Sequence, residues 1–573
     1  MRLALAQIDP VVGDLDGNRS LILERLDEAR GTGADLVVFP ELAVTGYPPE
    51  DLLLRAGFVR AARKSLEQIA GAARGIAALV GVPLFEGDLF NACAVCADGS
   101  VQAVHRKRFL PNYGVFDEDR YFAPGRDLVV LDIAGARVGI TICEDMWQPG
   151  PPATDLALAG AELLVNLSAS PFHVGRERER EAMFRTRARD NVCFVAFCNT
   201  VGGQDELIFD GHSLVLDDEG EVLARAPGFE ECLVVADLDP SAVIGRRLRD
   251  VRRRALAREL PEPPTVTTVT ITPAGSGSDG GSRRAAVVPF ADELEQMRRA
   301  LVLGLGDYVR KNGFREIVVG VSGGIDSALT AALAVEALGV ERVHCVSMPS
   351  RYSSHGTRED ARRLAENLGC DFRELPIEPV VDAFSSVLAE SFAGRPPGLA
   401  QENLQARIRG TMLMALSNEF GWLLVATGNK SELSVGYATL YGDMAGGFAL
   451  LKDVFKTDVF RLCRYLNEQA GRELVPESTI ERAPSAELRA DQRDEDSLPP
   501  YAELDRVLEA YVEEDRSLEE LSADGFDPDV VARAVSLVDR AEYKRRQAPP
   551  GVRLRPKAFG RDRRTPITNR WTN

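Results

Sequence analysis

The most informative segment of the chain is Gly320-Val321-Ser322-Gly323-Gly324-Ile325-Asp326-Ser327. It follows a short apolar run at 317–319 and precedes a helix-compatible run at 328–338. Adjacent glycines let the backbone turn and approach an anion closely, serine hydroxyls add donors, and the positive end of the following helix faces the bound group. The segment therefore predicts a phosphate-binding loop, although a Gly-Gly pair after a strand also occurs in plain turns. It differs from a Walker A loop, which places Lys before its last Ser or Thr.

The pattern around this loop predicts a doubly wound parallel sheet. A helix is expected from 289 to 312, strands at 342–348 and 421–427, and a helix near 358–368. Strands separated by helices are typical of such a sheet, whose ligands bind beyond the carboxyl ends of the strands. The glycine-rich loop lies at one of these ends.

The first half of the chain predicts a separate α/β domain. Between residues 3 and 239, short apolar strands alternate irregularly with helical stretches such as 18–30 and 177–190. Many of the strands are continuous apolar runs, which indicates sheets covered by another sheet or by helices.

Between the halves, composition predicts a flexible connector. An arginine-rich segment at 246–258 is followed by a proline-rich stretch, a Thr/Val run, and a Gly/Ser-rich stretch at 275–282. We therefore predict domains at 1–245 and 289–573, joined by a linker at 246–288. The arginines are compatible with nucleic-acid binding, but a solvated helix face or a subunit contact is favoured.

Charge and cysteine content favour a cytosolic enzyme that acts on small molecules. The 573-residue chain has a formal net charge of -19, which argues against general binding to nucleic acid or anionic membranes. No signal peptide or membrane-spanning stretch is expected. Nine cysteines, several within strand-like runs, are typical of buried thiols in a reducing compartment. Cys93 and Cys96 form a CxxC pair, but neither a second pair nor a nearby histidine completes a zinc site.

Three residues at predicted strand ends of the first domain suggest a second active site. Singly, Cys143 is best explained as a core thiol, and Glu41 and Lys107 as ordinary charges. Together they suit amide hydrolysis: Glu41 as the base that activates the Cys143 thiol, and Lys107 as the cation that stabilises an oxyanion.

This Glu, Lys and Cys set, with its surrounding sequence, resembles the nitrilase or carbon-nitrogen hydrolase superfamily. The resemblance implies an αββα sandwich, with Cys143 as nucleophile, Glu41 as base and Lys107 as third member. Glutamine-hydrolysing members of the family imply further contacts to the substrate at Glu118, Tyr113, Ser170 and Arg176.

The loop at 320–327 resembles that of the ATP pyrophosphatases, which have a Rossmann-like sheet and split ATP between its α and β phosphates. Both halves in this order resemble the family of glutamine-dependent NAD synthetases, with further matches such as ENLQARIRG and VATGNKSELSVGYATLYGD.

That resemblance assigns ligands to the second domain. ATP contacts are implied for the 320–327 loop, Thr427, Lys456 and Ser485; Mg²⁺ ligation for Asp326 and Glu432; and deamido-NAD contacts for Asn403, Arg407, Glu432 and Lys544. The residue before Tyr441-Gly442-Asp443 is Leu440, where ammonia-only relatives often carry a basic residue. The run 483–501 is expected to be a mobile loop that closes over the adenylate, or simply disordered.

The implied reaction has three parts. Glutamine is hydrolysed through a Cys143 thioester, deamido-NAD is adenylated by Mg-ATP, and the released ammonia displaces AMP to give NAD. The resemblance also implies a tunnel for ammonia and a homo-octamer.

Three alternatives are weighed against this hypothesis. Another adenylating amidotransferase is disfavoured, since asparagine synthetases need a cysteine where this chain has Arg2, and GMP synthetases use a Cys-His-Glu set. An RNA-binding, tRNA-modifying protein shares the loop but conflicts with the acidic charge. A non-catalytic scaffold would lack glutaminase turnover.

Overall fold

The computed structural model describes residues 1–259, 265–272, 285–396, 398–489 and 492–571. The chain divides into two units, one formed by Met1–Gln204 with Ile208–Ala291 and the other by Asp205–Leu207 with Asp292–Asn573. Among the described residues, no helix combines the length and apolar character needed to cross a membrane.

The first unit contains fifteen strands and seven α-helices within the described ranges. The strands are β1 (Arg2–Gln7), β2 (Leu36–Val38), β3 (Ala77–Phe85), β4 (Leu89–Ala97), β5 (Ser100–Arg106), β6 (Val129–Ile133), β7 (Ala136–Ile142), β8 (Leu163–Ser168), β9 (Phe194–Asn199), β10 (Val201–Gln204), β11 (Leu207–Asp210), β12 (Leu214–Leu216), β13 (Val222–Arg225), β14 (Cys232–Asp237) and β15 (Thr267–Ile271). The helices are α1 (Leu15–Gly31), α2 (Ala56–Ala72), α3 (Glu144–Trp147), α4 (Ala153–Leu158), α5 (Arg176–Asn191), α6 (Val243–Arg247) and α7 (Val251–Glu259).

Two large sheets form the centre of this unit. One has six strands in the order β14-β1-β2-β3-β4-β5, and the other has seven in the order β13-β12-β9-β8-β7-β6-β15. Buried side chains of both sheets, such as Leu5, Leu79 and Ile140, form one cluster between them. Continuous burial on both faces explains the uninterrupted apolar runs of the strands.

Helices cover the outer face of each sheet. Buried residues of α1 and α2, such as Ile22 and Leu66, pack with outward-facing residues of the first sheet. Phe184 of α5 packs with Val195 and other outward-facing residues of the second sheet. The predicted αββα sandwich is therefore confirmed.

Part of the predicted connector at 246–288 belongs to a sheet instead. Strand β15 pairs in parallel with β6 over five residues, from Thr267↔Val129 to Ile271↔Ile133, and Ile271 is buried in the core. The expectation of a free connector is wrong for these residues, because alternating Thr and Val can complete the open edge of β6. The proline-rich and Gly/Ser-rich stretches at 260–264 and 273–284 lie outside the described residues.

The second unit contains five strands and twelve α-helices within the described ranges. The strands are β16 (Ile317–Gly320), β17 (Val343–Ser347), β18 (Asp371–Glu374), β19 (Leu423–Ala426) and β20 (Phe448–Ala449). The helices are α8 (Glu293–Lys311), α9 (Ile325–Leu338), α10 (His355–Leu368), α11 (Glu378–Leu388), α12 (Leu399–Phe420), α13 (Lys430–Val435), α14 (Lys456–Ala470), α15 (Glu477–Glu481), α16 (Tyr501–Leu508), α17 (Leu518–Ala523), α18 (Pro528–Arg540) and α19 (Glu542–Arg545).

The strands of this unit form one parallel sheet in the order β18-β17-β16-β19-β20. From β16 the chain first adds β17 and β18 on one side of the sheet and then β19 and β20 on the other. The direction of strand addition therefore reverses between β16 and β19. Ligands of doubly wound sheets bind at this switch point, beyond the carboxyl ends of the strands. The loop after β16 lies there, which confirms the predicted architecture.

Candidate active sites

Glu41 lies just beyond the end of β2, where the backbone packs against β3. A Cβ built at Gly81 of β3 would lie 2.3 Å from the Pro40 carbonyl oxygen and 2.8 Å from the carbonyl carbon of Glu41, so a larger residue would displace this segment. Both Glu41 oxygens accept hydrogen bonds: Oε1 from Lys107 and Asn91, and Oε2 from the Ala169 amide at 3.0 Å. The carboxylate is thereby fixed in a buried position.

Lys107 follows β5 and points its ammonium at two carboxylates. Its Nζ lies 2.6 Å from Glu41 Oε1 and 2.9 and 2.8 Å from the two oxygens of Glu118. Asn91 donates to Glu41 at 2.7 Å, and Tyr47 donates to Glu118 at 2.9 Å. Because a buried ion pair is stable only when its polar atoms are satisfied, these extra donors hold the carboxylates in place.

Burial and the neighbouring charges together raise the pKa values of Lys107 and Glu118. Burial alone disfavours the Lys107 ammonium, but Glu118 and Glu41 outweigh it and raise the pKa of Lys107 well above its usual value. Burial raises the pKa of Glu118 to about 7, against the opposing charge of Lys107. Lys107 is therefore a fixed cation, whereas Glu118 titrates near neutral pH.

Cys143 directly follows β7 on a strained turn. Its backbone has φ 41° and ψ -100°, a left-handed conformation that is uncommon outside glycine, and α3 begins at the next residue. Burial and the negative charge of Glu41 raise the pKa of the thiol well above its usual value, against the opposing effect of Lys107. The thiol form is therefore favoured in the free site, so the Cys143 nucleophile requires a base to remove its proton.

The structure brings Tyr113 near Cys143, and Arg176 near Tyr113. The Tyr113 hydroxyl donates to Glu144 at 2.8 Å, and Cys143 and Arg176 both contribute to its electrostatic environment. The Arg176 guanidinium lies 4.0 Å from the Trp147 ring centroid. The Tyr113 hydroxyl and the Glu144 carboxylate thus lie near the thiol, with the Arg176 guanidinium next to Tyr113, and these are the donor and acceptor types that an amino acid requires.

Ser170 is buried next to the residue whose amide binds Glu41. Its amide donates to Asn199 at 2.9 Å, and its hydroxyl accepts from Arg180 at 3.4 Å. The neighbouring Ala169 amide is the one bonded to Glu41. Ser170 is thus buried close to the base.

Sequence reasoning missed the residues that organise this site. Asn91 lies in a segment whose pattern predicts only a strand, and Tyr47 in one that predicts only a loop. Neither residue type indicates catalysis in such a segment. Asp145 had a signal, since it stands two residues after Cys143 in an acidic pair.

Asp145 joins the Lys107 segment to the Cys143 turn. Its Oδ1 accepts the amides of Arg108 and Phe109, both at 3.0 Å, and its Oδ2 accepts the amide of Ile142 at 3.0 Å. The side chain is fully buried. One carboxylate therefore sets the spacing between the residue after Lys107 and the residue before Cys143.

In the second unit, the glycine-rich loop lines a cavity of about 300 Å³. Ser327 Oγ accepts the Ser322 amide at 3.2 Å, and Ser322 Oγ accepts the Gly324 amide at 3.2 Å, so the serines shape the loop. Gly323 has φ +82°, and a Cβ there would lie 2.1 Å from the Thr357 carbonyl oxygen. Only glycine fits this position, which is the close approach predicted from the sequence.

Three predicted residues meet in the same cavity. The Lys456 ammonium forms an ion pair with Asp326 and a 3.2 Å hydrogen bond to Glu432. Asn429 donates to the other Asp326 oxygen at 2.8 Å. Burial raises the pKa of Glu432 to about 8, while Asp326 and Glu432 raise that of Lys456 above its usual value despite burial.

A third carboxylate stands close to this group. Asp494 accepts hydrogen bonds from Tyr501 at 3.0 Å and Tyr437 at 3.3 Å, and burial raises its pKa. It also contributes to the electrostatic environment of Glu432 and Lys456. In the ranges that the structure describes, no three His, Cys, Asp or Glu side chains are arranged to hold a metal ion among themselves.

Asp505 of α16 joins the two segments that carry Glu432 and Lys456. It accepts the Ser431 hydroxyl at 2.5 Å and the Thr457 amide at 2.9 Å. Ser431 Oγ in turn accepts the Lys456 amide at 2.9 Å. The starts of α13 and α14 are therefore fixed to one buried carboxylate.

The remaining predicted ATP contacts also line the cavity. Thr427 comes directly after β19, at the switch point, and the Ser485 hydroxyl donates to the Gln492 carbonyl at 2.5 Å. Within the predicted closing loop, residues 490 and 491 lie outside the described ranges. Arg409 and Glu487 line the cavity as well and were not predicted.

Asn403, Arg407 and Lys544 gather around one loop near the cavity. Asn403 accepts the Thr439 hydroxyl at 2.8 Å, and Arg407 donates to the Leu440 carbonyl at 3.1 Å. Lys544 donates to the carbonyls of residues 436 and 438 at 2.6 and 2.7 Å. Glu432, predicted with them, lies instead with Asp326 and Lys456.

Two family models match the chain, one to each unit. The carbon-nitrogen hydrolase model matches residues 2–247, and the NAD synthase model matches residues 297–548.

Similar proteins match over the whole length. The chain is 48% identical over 574 residues to a glutamine-dependent NAD(+) synthetase of Thermotoga maritima, covering 100% of this chain and 99% of the relative. It is 44% identical over 575 residues to one of Aquifex aeolicus, with 100% of both covered. A solved structure of the Acinetobacter baumannii enzyme in complex with ADP superposes with a TM-score of 0.76 at 39% identity, covering 100% of this chain and 99% of that one.

Proposed function

The chain belongs to the family of glutamine-dependent NAD(+) synthetases, and we propose that its first unit releases ammonia from glutamine while its second unit adenylates deamido-NAD and amidates it to NAD. The family and the ligase function predicted from the sequence are confirmed, which favours this enzyme over the scaffold, the tRNA-modifying protein and other amidotransferases. The residue roles below are our proposal.

The observation that carries the glutaminase assignment is the buried Lys107 ammonium held between Glu41 and Glu118 beside the Cys143 thiol. Glu41 accepts the thiol proton, and the sulfur attacks the side-chain amide carbon of glutamine. Lys107 stabilises the oxyanion, and the proton passes to the departing ammonia. Water then hydrolyses the thioester, with Glu41 as base, to give glutamate.

Tyr113, Glu144 and Arg176 suit the amino acid end of glutamine. A carboxylate such as Glu144 attracts the α-ammonium, and a guanidinium such as Arg176 attracts the α-carboxylate. Ser170 is buried and directly follows Ala169, whose amide is bonded to Glu41. We therefore propose that Ser170 helps to hold both Glu41 and the substrate in position.

The cavity of the second unit suits ATP. Its loop amides and serine hydroxyls face the phosphates, and Lys456 neutralises the pyrophosphate that leaves when the nicotinate carboxylate attacks the α-phosphorus. The Acinetobacter baumannii relative was solved in complex with ADP, which supports an adenine nucleotide as ligand. Thr427 and Ser485, which both line the cavity, are proposed to contact the nucleotide.

The donor set in this cavity fits magnesium bound together with ATP. Asp326 and Glu432 offer two carboxylates that already share one ammonium, and Mg²⁺ is usually held by one or two carboxylates and substrate phosphates. When bound there, it would neutralise charge on the phosphates. Asp326 and Glu432 are thus proposed as its protein ligands.

Deamido-NAD is proposed to bind beside the loop at 436–440. Asn403, Arg407 and Lys544 all contact this loop, which adjoins the cavity wall at Tyr437 and Thr439. The nicotinate carboxylate would thereby reach the α-phosphate of ATP.

Three further features complete the proposal. Ammonia passes between the sites without mixing with solvent, the chain assembles into a homo-octamer as the family resemblance implies, and the enzyme acts in the cytoplasm.

The test is NAD formation by purified protein with either nitrogen source. Wild-type protein should make NAD from deamido-NAD and ATP with glutamine or with ammonium. Cys143→Ala should abolish glutamine-dependent synthesis but leave ammonium-dependent synthesis substantially intact. Cys232→Ala, a partly exposed thiol outside the site, serves as control. Loss of both activities in a folded Cys143→Ala protein would remove Cys143 from the role of glutaminase nucleophile.

A further inference from the structure

Two cysteines of the second unit are in direct contact, and neither is among the residues that line the nucleotide cavity. Cys345 Sγ in β17 lies 3.4 Å from Cys370 Sγ, which directly precedes β18. Cys345 is fully buried, whereas Cys370 is partly exposed. The contact thus joins an internal thiol to one that small solutes can reach.

Local structure keeps the two sulfurs together. Helix α10 ends at Leu368, its C-cap Gly369 has φ +77°, and the Cys370 amide then donates to the Ala365 carbonyl at 3.2 Å. The chain enters β18 immediately afterwards, in parallel register with β17 from His344↔Asp371 onward. Cys370 is therefore held between a capped helix and a paired strand.

The two thiols have different chemical character. The hydrogen bond between the two sulfurs lowers the pKa of Cys370 and raises the pKa of Cys345 well above its usual value. Because the thiolate is the reactive form, Cys370 is the nucleophile of the pair and Cys345 its resolving partner.

We propose that Cys345 and Cys370 form a dithiol site that hydrogen peroxide oxidises reversibly to a disulfide. The Cys370 sulfur attacks one peroxide oxygen, the O–O bond breaks, and a sulfenic acid and water form. Cys345 then loses its proton and attacks the Cys370 sulfur, the S–O bond breaks, and a second water leaves. Two thiols and one peroxide thus give a disulfide and two waters, and a dithiol reductant returns the two electrons.

The geometry requires only a small movement. A disulfide bond is about 2.05 Å long, so the sulfurs must approach by roughly 1.4 Å. The bond would tie the residue before β18 to β17, whose carboxyl end at Ser347 and Met348 lines the nucleotide cavity. This modification is separate from the amidation reaction and does not depend on it.

Peptide mapping of the full-length protein tests the proposal. Reduced, desalted protein is treated with hydrogen peroxide, alkylated, and digested with trypsin without reductant. The expected product links residues 343–351 to residues 364–373, and dithiothreitol should separate them. Peroxide also oxidises Met348, which adds an oxygen to the first peptide. The amount of linked peptide is therefore summed over its forms with and without this oxygen.

Cys232 provides the internal standard. It is also partly exposed, but burial raises the pKa of its thiol to about 12. The Cys345–Cys370 linkage should therefore form at least about tenfold faster than any oxidation of Cys232. Equal rates, or oxidation of Cys370 without linkage to Cys345, would overturn the proposal, and this measurement needs no variant.

Single variants separate the two steps. Cys345→Ser should stop at a sulfenic acid on Cys370, trapped by dimedone, and Cys370→Ser should leave Cys345 reduced. Cys232→Ser should form the linkage at the wild-type rate. Oxidation of Cys345 in Cys370→Ser at the wild-type rate would overturn the order of attack.

Discussion

The ammonium of Lys107 is stable in the first unit only because two carboxylates surround it. Removing one partner of a buried ion pair leaves an uncompensated charge, which costs about 3–5 kcal/mol. Each carboxylate also has a second donor, Asn91 for Glu41 and Tyr47 for Glu118. The charge pattern of the site is therefore established before glutamine arrives, which is the condition for electrostatic catalysis.

Glu118 should make stability depend on pH. Burial raises its pKa in the folded chain to about 7, above the ordinary value of 4.5, so the folded state holds this proton more tightly. The resulting stabilisation is fully present below about pH 4.5 and is lost as the pH rises through about 7. Glu118→Gln removes this titration, so its Tm should fall less than that of the wild type between about pH 5 and pH 8.

Thermal unfolding across this range provides the measurement. Asp119→Asn, an exposed neighbour, should keep the wild-type dependence. If Glu118→Gln and wild type lose the same Tm over this range, Glu118 does not titrate there.

The sequence predicts the reacting side chains better than the residues that hold them in place. Glu41, Lys107 and Cys143 stand at strand ends and combine into one chemistry, which is why they could be proposed together. Asn91 lies in an alanine- and cysteine-rich strand, and only the pairing of that strand with its neighbours brings its amide to Glu41. Contacts over fifty residues of sequence leave no local pattern.

Among the elements, two buried aspartates have the same function in different units. Asp145 binds backbone amides on both sides of the first site, and Asp505 binds Ser431 and the amide of Thr457 in the second. Each connects two segments that carry proposed catalytic residues. Because an error of about 1 Å in position can reduce a rate by about a hundredfold, such connections should be visible in kinetics.

Asp145→Asn should impair only the first site. The amide side chain has one acceptor oxygen, so one of the bonds to the Lys107 or Cys143 segments is replaced by two facing donors. We expect glutamine-dependent synthesis to fall by about tenfold to a hundredfold while ammonium-dependent synthesis is retained. Asp155→Asn, which affects the side chain of Arg108 but not its amide, is the matched control. Unchanged glutamine use would show that the connection is dispensable.

Asp505→Asn should have the opposite selectivity. It weakens the link between the starts of α13 and α14, so synthesis from either nitrogen source should fall by about tenfold or more. Glutamate release from glutamine should continue, since the first site is untouched. Glu503→Gln, on the exposed side of the same helix, is the control. Normal ammonium-dependent synthesis by a folded Asp505→Asn protein would contradict this role.

The strands were largely predictable where their apolar runs were strong, and two helices of the first unit were predicted as well. The predicted strands at 342–348 and 421–427 correspond to β17 and β19, and the helices at 18–30 and 177–190 to α1 and α5. β15 was missed because proline-rich and Gly/Ser-rich stretches on either side of it indicated a connector, although its Thr, Val and Ile residues favour a strand. Its place in the sheet depends on the open edge of β6, which no local pattern reveals.

For the molecule as a whole, the proposal requires ammonia to move from one unit to the other. Free ammonia is mostly protonated at neutral pH and loses its nucleophilicity. With ¹⁵N-amide glutamine and excess unlabelled ammonium, the carboxamide of NAD should therefore contain label well above its share of the total ammonia pool. Mass spectrometry of NAD gives the ratio, and the ammonium-fed Cys143→Ala protein gives the unlabelled baseline. Label equal to the pool share would mean free diffusion.

The position of β15 also determines where the first unit can be cut. A fragment that ends at residue 245 would leave β6, an apolar strand at 129–133, as an unprotected edge of the seven-stranded sheet. Exposed apolar edges template pairing between molecules, so such a fragment would tend to aggregate. A recombinant glutaminase fragment should therefore continue through Ile271, and a split of the chain for co-expression belongs after this strand rather than before the arginine-rich segment.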